Sequence, residues 1–272
     1  MATTPPEIGP VPVAHKRYAV AVAAALALSG AFAAPAGAVA DGHDATPGMF
    51  PFSVKFTMTN IPNPDGTTRS SACSGALIAP QWVITAGHCF HDVNRNPVSG
   101  PVPYPTTATL GKVDLADSGG KTVNVVEVRQ APKGDIALGK LDKPVYGILP
   151  LLVNRKQPTV GQQLTIAGWG AKDSVNPVPG THMTYGGVAV SSVEDVNLLV
   201  HGVSPAPDTS ACLYDSGSPY FRPIGVKAGV LVSVESDGPD CPHDTPETTT
   251  RVDVVADWIG SQVGYASIAA NE

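Results

Sequence analysis

The sequence predicts an all-β protein, and three observations carry that expectation. Turn formers are abundant, with 28 Gly and 27 Pro in 272 residues. Apolar and alternating runs are short, and Gly, Pro, Asp or Asn punctuates them throughout. A helical period stands out in one segment, near the C-terminal end. Short strands spaced in this way build a sandwich or a barrel.

The expected strands are, in order, Phe52 to Met58, Gly75 to Ile78, Trp82 to Thr85, Thr122 to Val128, Ile136 to Leu141 and Gln163 to Gly168. Gly186 to Val193, Ser218 to Phe221 and Gly229 to Val234 follow in the last third. Turn signals such as Asn63-Pro64-Asp65-Gly66, Ser118-Gly119-Gly120 and Pro177-Val178-Pro179-Gly180 separate them. The stretch Leu149–Pro158, with a proline near each end, reads as a linker between two β halves. From Val252 onward, Val254, Val255, Trp258, Ile259 and Val263 recur mostly at three- and four-residue steps. That spacing predicts an amphipathic helix that packs Trp258 onto the barrel.

Composition bounds the function. Hydrophobic residues are 43% and charged residues 15%, a globular balance. The net charge of −6 comes without any basic stripe, so nucleic acid is not an expected partner. The N-terminal region reads as a targeting signal. His15-Lys16-Arg17 precedes an Ala-rich apolar run from Tyr18 to about Ala34, and Pro35-Ala36-Gly37-Ala38 places small residues at −3 and −1 of a cut. Residues 1–38 are therefore expected to be a secretory signal peptide, with a rival cut after Ala40. No later run is long and apolar enough to span a membrane, so an extracellular protein without stable membrane association is expected. Four cysteines follow the signal: Cys73, Cys89, Cys212 and Cys241. An even count in a secreted chain favours two disulfides, and spacing leaves three connectivities open. No CxxC occurs, and Asp114 and Asp117 are too sparse for a calcium loop, so no metal or cofactor is expected.

Three segments carry chemistry. Val83-Ile84-Thr85-Ala86-Gly87-His88-Cys89 ends a strand at a small turn and presents a histidine. Gly134-Asp135-Ile136-Ala137-Leu138 places an acid at the entrance of an apolar run. Cys212-Leu213-Tyr214-Asp215-Ser216-Gly217-Ser218-Pro219 sets a serine in a tight turn. A serine hydroxyl is a poor nucleophile near neutral pH and needs a base, which histidine supplies. The base needs a buried acid to fix its tautomer and stabilise its cation. Small residues beside the serine let backbone N–H groups reach a developing oxyanion. His88 as base, Asp135 as orienting acid and Ser216 as nucleophile fill these roles.

These segments, in this order, resemble the three motifs of the chymotrypsin/trypsin-like serine proteases, in a secreted bacterial-type form. Ala167-Gly168-Trp169-Gly170 is similar to the family's Gly-Trp-Gly. Arg251-Val252 followed by Asp257-Trp258-Ile259 resembles its closing strand and C-terminal helix. The resemblance implies two six-stranded antiparallel β-barrels with a C-terminal helix. The peptidase domain then covers 39–272, its first barrel about 39–150 and its second barrel with the helix about 160–265. It implies peptide-bond hydrolysis through an acyl-enzyme, a protein or peptide substrate, and a monomer. It pairs Cys73 with Cys89 and Cys212 with Cys241. It assigns the oxyanion hole to the N–H groups of Tyr214 and Ser216, although the family usually has Gly at the former. Val39-Ala40-Asp41-Gly42 resembles the family's mature N-terminus. The resemblance thus implies that a Val39 ammonium, freed by signal cleavage, pairs with Asp215. For substrate binding it implies Ser210 on the pocket floor, Ser233-Val234-Glu235 as the strand that pairs with substrate, and Glu247 near the pocket. Tyr214, Glu235 and Glu247 depart from the family pattern. They sustain an alternative, a catalytically impaired homologue acting as a binding protein.

Overall fold

In the computed structural model the described residues are 1–3, 9 and 38–263. The signal peptide read over 1–38 lies outside them, apart from its few described positions. The strands, in chain order, begin with β1 (His43–Asp44), β2 (Ser53–Pro62), β3 (Thr68–Ala79) and β4 (Trp82–Thr85). They continue with β5 (Gly100–Pro101), β6 (Thr106–Leu110), β7 (Lys121–Gln130), β8 (Ala137–Leu141) and β9 (Leu152–Val153). The last six are β10 (Gln163–Gly168), β11 (Thr184–Val193), β12 (Asn197–Ser204), β13 (Pro219–Ile224), β14 (Ala228–Asp237) and β15 (Glu247–Arg251).

Two rings form. In the first the order β7-β6-β2-β3-β4-β8 closes because β8 also pairs with β7. In the second β11-β10-β13-β14-β15-β12 closes through β11 with β12. Each ring has six antiparallel strands, as the resemblance implies. The expected linker is more ordered than a bare connection. Its β9 adds to β14 in parallel, and Leu151 and Val153 are fully buried.

Alternation explains which faces close. Val54, Phe56 and Met58 point inward from β2. Leu198 and Val200 do so from β12. Phe221 packs edge to face on both Phe50 and Phe52, with centroids 5.1 Å apart in each pair. Phe52 and Phe221 belong to opposite halves, so this cluster joins them.

The C-terminal helix, α1 (Ala256–Val263), follows a 3-10 turn over Asp253–Val255. Its position is as expected, and Trp258 packs against the core at its margin. Val255, Ala256 and Ile259 are buried, whereas Trp258 is half-buried. Both implied disulfides are present, Cys73–Cys89 with Cα atoms 6.4 Å apart and Cys212–Cys241 with 5.3 Å. No helix among the described residues is long and apolar enough to cross a membrane.

Candidate active site

His88 sits in a 3-10 turn, Gly87–Cys89, immediately after β4. The disulfide from Cys89 to Cys73 ties this turn to β3. Asp135 stands just ahead of β8, the neighbour of β4, so sheet pairing alone brings acid and base together. Asp135 grips the histidine twice. Its Oδ1 accepts the His88 backbone N–H at 2.8 Å, and its Oδ2 lies 2.7 Å from His88 Nδ1. Ser236 Oγ donates to the same Oδ2 at 2.7 Å. Burial pushes the Asp135 carboxyl up, but the hydrogen bonds from His88 and Ser236 and the charge of His88 outweigh it, leaving the group below its ordinary value.

Ser216 comes from the other barrel, in the turn before β13. Ser74 on β3 fixes it, donating its N–H to the Ser216 carbonyl at 2.9 Å. Ser74 Oγ accepts the Trp169 N–H and donates to the Tyr214 carbonyl. One serine thus ties the first barrel to the Ser216 turn. Gly217 is required behind Ser216: its φ is +85°, and a Cβ there would lie 2.1 Å from Thr85 Oγ1. His88 and Ser216 line one cleft of about 240 Å³ together with Tyr214, Tyr104 and Arg69. No hydrogen bond joins the Ser216 hydroxyl to the His88 ring in this structure. Catalytic contacts of this kind commonly tighten only when substrate binds.

Tyr214 takes the conformation that glycine would. Its φ is +74°, so the residue bears the Cβ penalty of the left-handed region rather than changing the turn. The Tyr214 and Ser216 N–H groups donate to no protein acceptor among the described residues.

Asp215 is fully buried. Its carboxylate accepts from Gly170 N at 2.9 Å, Cys212 N at 3.1 Å and Ser218 Oγ at 3.3 Å. Burial pushes its pKa up to about 7. The Gly168-Trp169-Gly170 motif has its physical reason here: a Cβ on Gly168 would stand 2.0 Å from Asp215 Oδ1, and one on Gly170 2.2 Å from Oδ2. Val39 is buried against the second barrel, and Ala40 exchanges backbone hydrogen bonds with Ser210 at 2.9 and 3.2 Å. In this uncut chain the Val39 nitrogen is an amide. Among the described residues, no cation lies within ion-pair distance of Asp215.

The residues expected on the substrate side divide, Glu235 lining the cavity beside Ser216 and the others lying off it. A cavity of about 160 Å³ beside Ser216 is lined by Glu235, Ser236, Asp237 and Gly238 on one wall and by Ala211–Leu213 on another. Ser233 and Val234, read as the substrate-pairing strand together with Glu235, are fully buried and lie off the cavity. Ser236, half-buried, and the exposed Asp237 and Gly238 continue the cavity wall, and the Ser236–Asp135 bond anchors it. β14 carries a bulge between Glu235 and Asp237, beside this segment. Ser210 and Glu247 also lie off the cavity. Ser210 Oγ bonds the Asp208 carbonyl and accepts the His243 N–H. Glu247 Oε2 accepts the Ala211 N–H at 2.9 Å and lies 3.5 Å from His243 Nε2. The Tyr220 hydroxyl meets Glu235 Oε2 at 2.8 Å and Glu247 Oε1 at 2.5 Å. Two carboxyls and a phenol thus fill the space beneath Glu235. Burial, then the charge of Glu247, pushes the Glu235 carboxyl well up.

Ser236, Ser74 and Tyr220 escaped the sequence reading, since no local pattern marks them. Asp114 does not build a cation site: it engages His182 Nδ1 at 3.2 Å, and Lys112 Nζ fills the loop by donating to the Leu115 and Asp117 carbonyls.

The fold is that of neuropsin, a serine protease expressed in the limbic system of mouse brain, with a TM-score of 0.65 at 20% identity over 82% of this chain and 99% of that one. The chain is 28% identical over 255 residues to human "Serine protease 56", covering 85% of this chain and 40% of that protein. It is 31% identical over 154 residues to "Thrombin-like enzyme acutin" of Deinagkistrodon acutus, covering 50% of this chain and 55% of that one. The chain thus spans less than two thirds of the length of the two curated relatives. All are animal proteins and give no support to a bacterial-type subgroup. The "Trypsin" family model matches residues 39–259, and the chain belongs to the trypsin family.

Proposed function

We propose that this chain is a secreted serine endopeptidase. The observation that carries the reading is the double grip of Asp135 on His88, held over the cleft that Ser216 shares. Asp135 fixes the tautomer with the proton on Nδ1, leaving Nε2 as base. The Ser216 hydroxyl gives its proton to His88 as Oγ attacks the substrate carbonyl. The Tyr214 and Ser216 N–H groups receive the oxyanion. His88 then protonates the leaving amine, and water repeats the sequence on the acyl-enzyme.

The secreted form begins at Val39, freed by signal cleavage after Ala38, and its ammonium pairs with Asp215. N-terminal sequencing of the secreted protein is expected to read Val39, and a start at Asp41 contradicts that pairing. The cavity beside Ser216 carries Glu235, Asp237 and Asp240 and no cation. It favours neutral or basic over acidic substrate side chains. Peptides differing only at the cleaved residue test this, and fastest cleavage after Glu or Asp contradicts it.

The second reading is a non-catalytic homologue that binds peptides in the same cleft. The small, carboxyl-filled pocket favours it. The two are separated by incubating the secreted protein with a fluorophosphonate and with unstructured protein substrates. Covalent labelling and hydrolysis, both lost in Ser216→Ala, support the enzyme. Neither in the parent protein leaves the binding reading.

A further inference from the structure

Lys55 is a lysine in the wrong kind of place. It lies on β2 and is only 5% exposed. Its ammonium donates to one carbonyl, Gly180 O, at 2.5 Å, and stands 5.9 Å from the centroid of the Trp169 ring. A buried cation is costly unless an opposite charge offsets it. The candidate is Asp215, which is fully buried and, like Lys55, has no opposite charge at ion-pair distance among the described residues. The two are joined through short links. Gly180 N donates to the carbonyls of Trp169 and Gly170 at 3.0 and 2.8 Å, and Gly170 N donates to Asp215 Oδ1. The partner of Lys55 across the sheet is Ser74, which bonds Trp169, Tyr214 and Ser216.

We propose that Lys55 is a resident positioning cation for the nucleophile turn. It balances Asp215 from within the first barrel and pins the Trp169–Gly180 stretch, so the oxyanion turn forms while Val39 is still in peptide linkage. The inference rests on the protease reading, and it adds that freeing Val39 is not a precondition for activity. Lys55 touches no reacting atom and acts only through Asp215 and Gly180.

The groups around Lys55 are few. β3 offers Ser74, β6 offers Thr109, and the stretch after β10 offers Trp169, with Asp215 beyond it. Glu247 stands behind Asp215, and its charge raises that carboxyl further. Burial lowers the lysine to about 8, against the opposing pull of Asp215. The charge therefore vanishes as pH rises through that value.

The test uses the full 272-residue chain with its N-terminal segment intact by mass, beside the secreted form. Fluorophosphonate labelling of the uncut chain is expected. Lys55→Met should slow it at least about tenfold, and Lys55→Arg should stay within about threefold while moving the alkaline decline upward. Equal labelling of Lys55→Met and parent overturns the proposal. So does labelling confined to the secreted form. A thermal double-mutant cycle with Asp215→Asn decides the case where neither form is labelled, in which the protease reading fails. Lys55→Met is expected to lower Tm in the parent but not in the Asp215→Asn background, and an equal loss in both overturns the pairing.

Discussion

The proposed chemistry rests at Asp135, which engages three donors with two oxygens. Removing its charge without its shape separates orientation from packing. Asp135→Asn is expected to lower kcat by about 10⁴ with the fold intact, because the amide favours the wrong imidazole tautomer. Ser236→Ala is expected to cost far less, about tenfold, since it supports only one carboxylate oxygen. Steady-state kinetics beside circular dichroism checks both. If Ser236→Ala equals Asp135→Asn, the serine has a larger part than its single bond implies. Tyr214 yields an opposite prediction. At φ +74° glycine is at ease and tyrosine is not, so Tyr214→Gly should raise stability by about 1 kcal/mol and preserve labelling of Ser216. A thermal melt that falls instead means the ring contributes packing in the cleft worth more than the relieved strain.

At the scale of elements, β14 and β15 carry the unusual chemistry. Glu235 and Glu247 face one another across Tyr220 beneath the cavity. Glu235 and Asp215 both have pKa values raised by burial, Asp215 to about 7. A carboxyl raised above its unfolded value gives stability that is fully present below about pH 4 and is lost as pH rises through the folded value. Carboxyls lowered by the fold, such as Asp135, act oppositely and at lower pH. The Tm of the uncut chain should therefore fall between pH 5 and pH 8, and Glu235→Gln should flatten that fall. A Glu235→Gln slope equal to the parent's would show that Glu235 does not change its charge in this window. These elements also show what a sequence discloses. Trp82–Thr85 and Gln163–Gly168 were readable to the residue, because their apolar runs end at sharp breakers. Thr106–Leu110 was missed, since a Thr-rich strand with few large apolar residues carries little signal. Asn197–Ser204 was missed despite its alternation, hidden in a polar stretch.

The whole molecule divides the site between two closed rings. His88 and Asp135 hang from the first, and Ser216 from the second. The three are legible in sequence because each sits at a strand end with its own local motif. The groups that join the rings are not. Ser74, Ser236 and Lys55 acquire their roles through register and cross-barrel packing, and nothing beside them in the chain announces it. That Ser236–Gly238 and not Ser233–Val234 line the cavity beside Ser216 is likewise visible only in three dimensions. The central claim is that the two rings assemble one nucleophile at Ser216 served by His88. Peptide mapping of the purified protein after fluorophosphonate treatment tests it most directly. The account predicts a single adduct, on Ser216, formed at least about 10³-fold more slowly in His88→Ala. An adduct elsewhere, or a rate unchanged by His88→Ala, would contradict it.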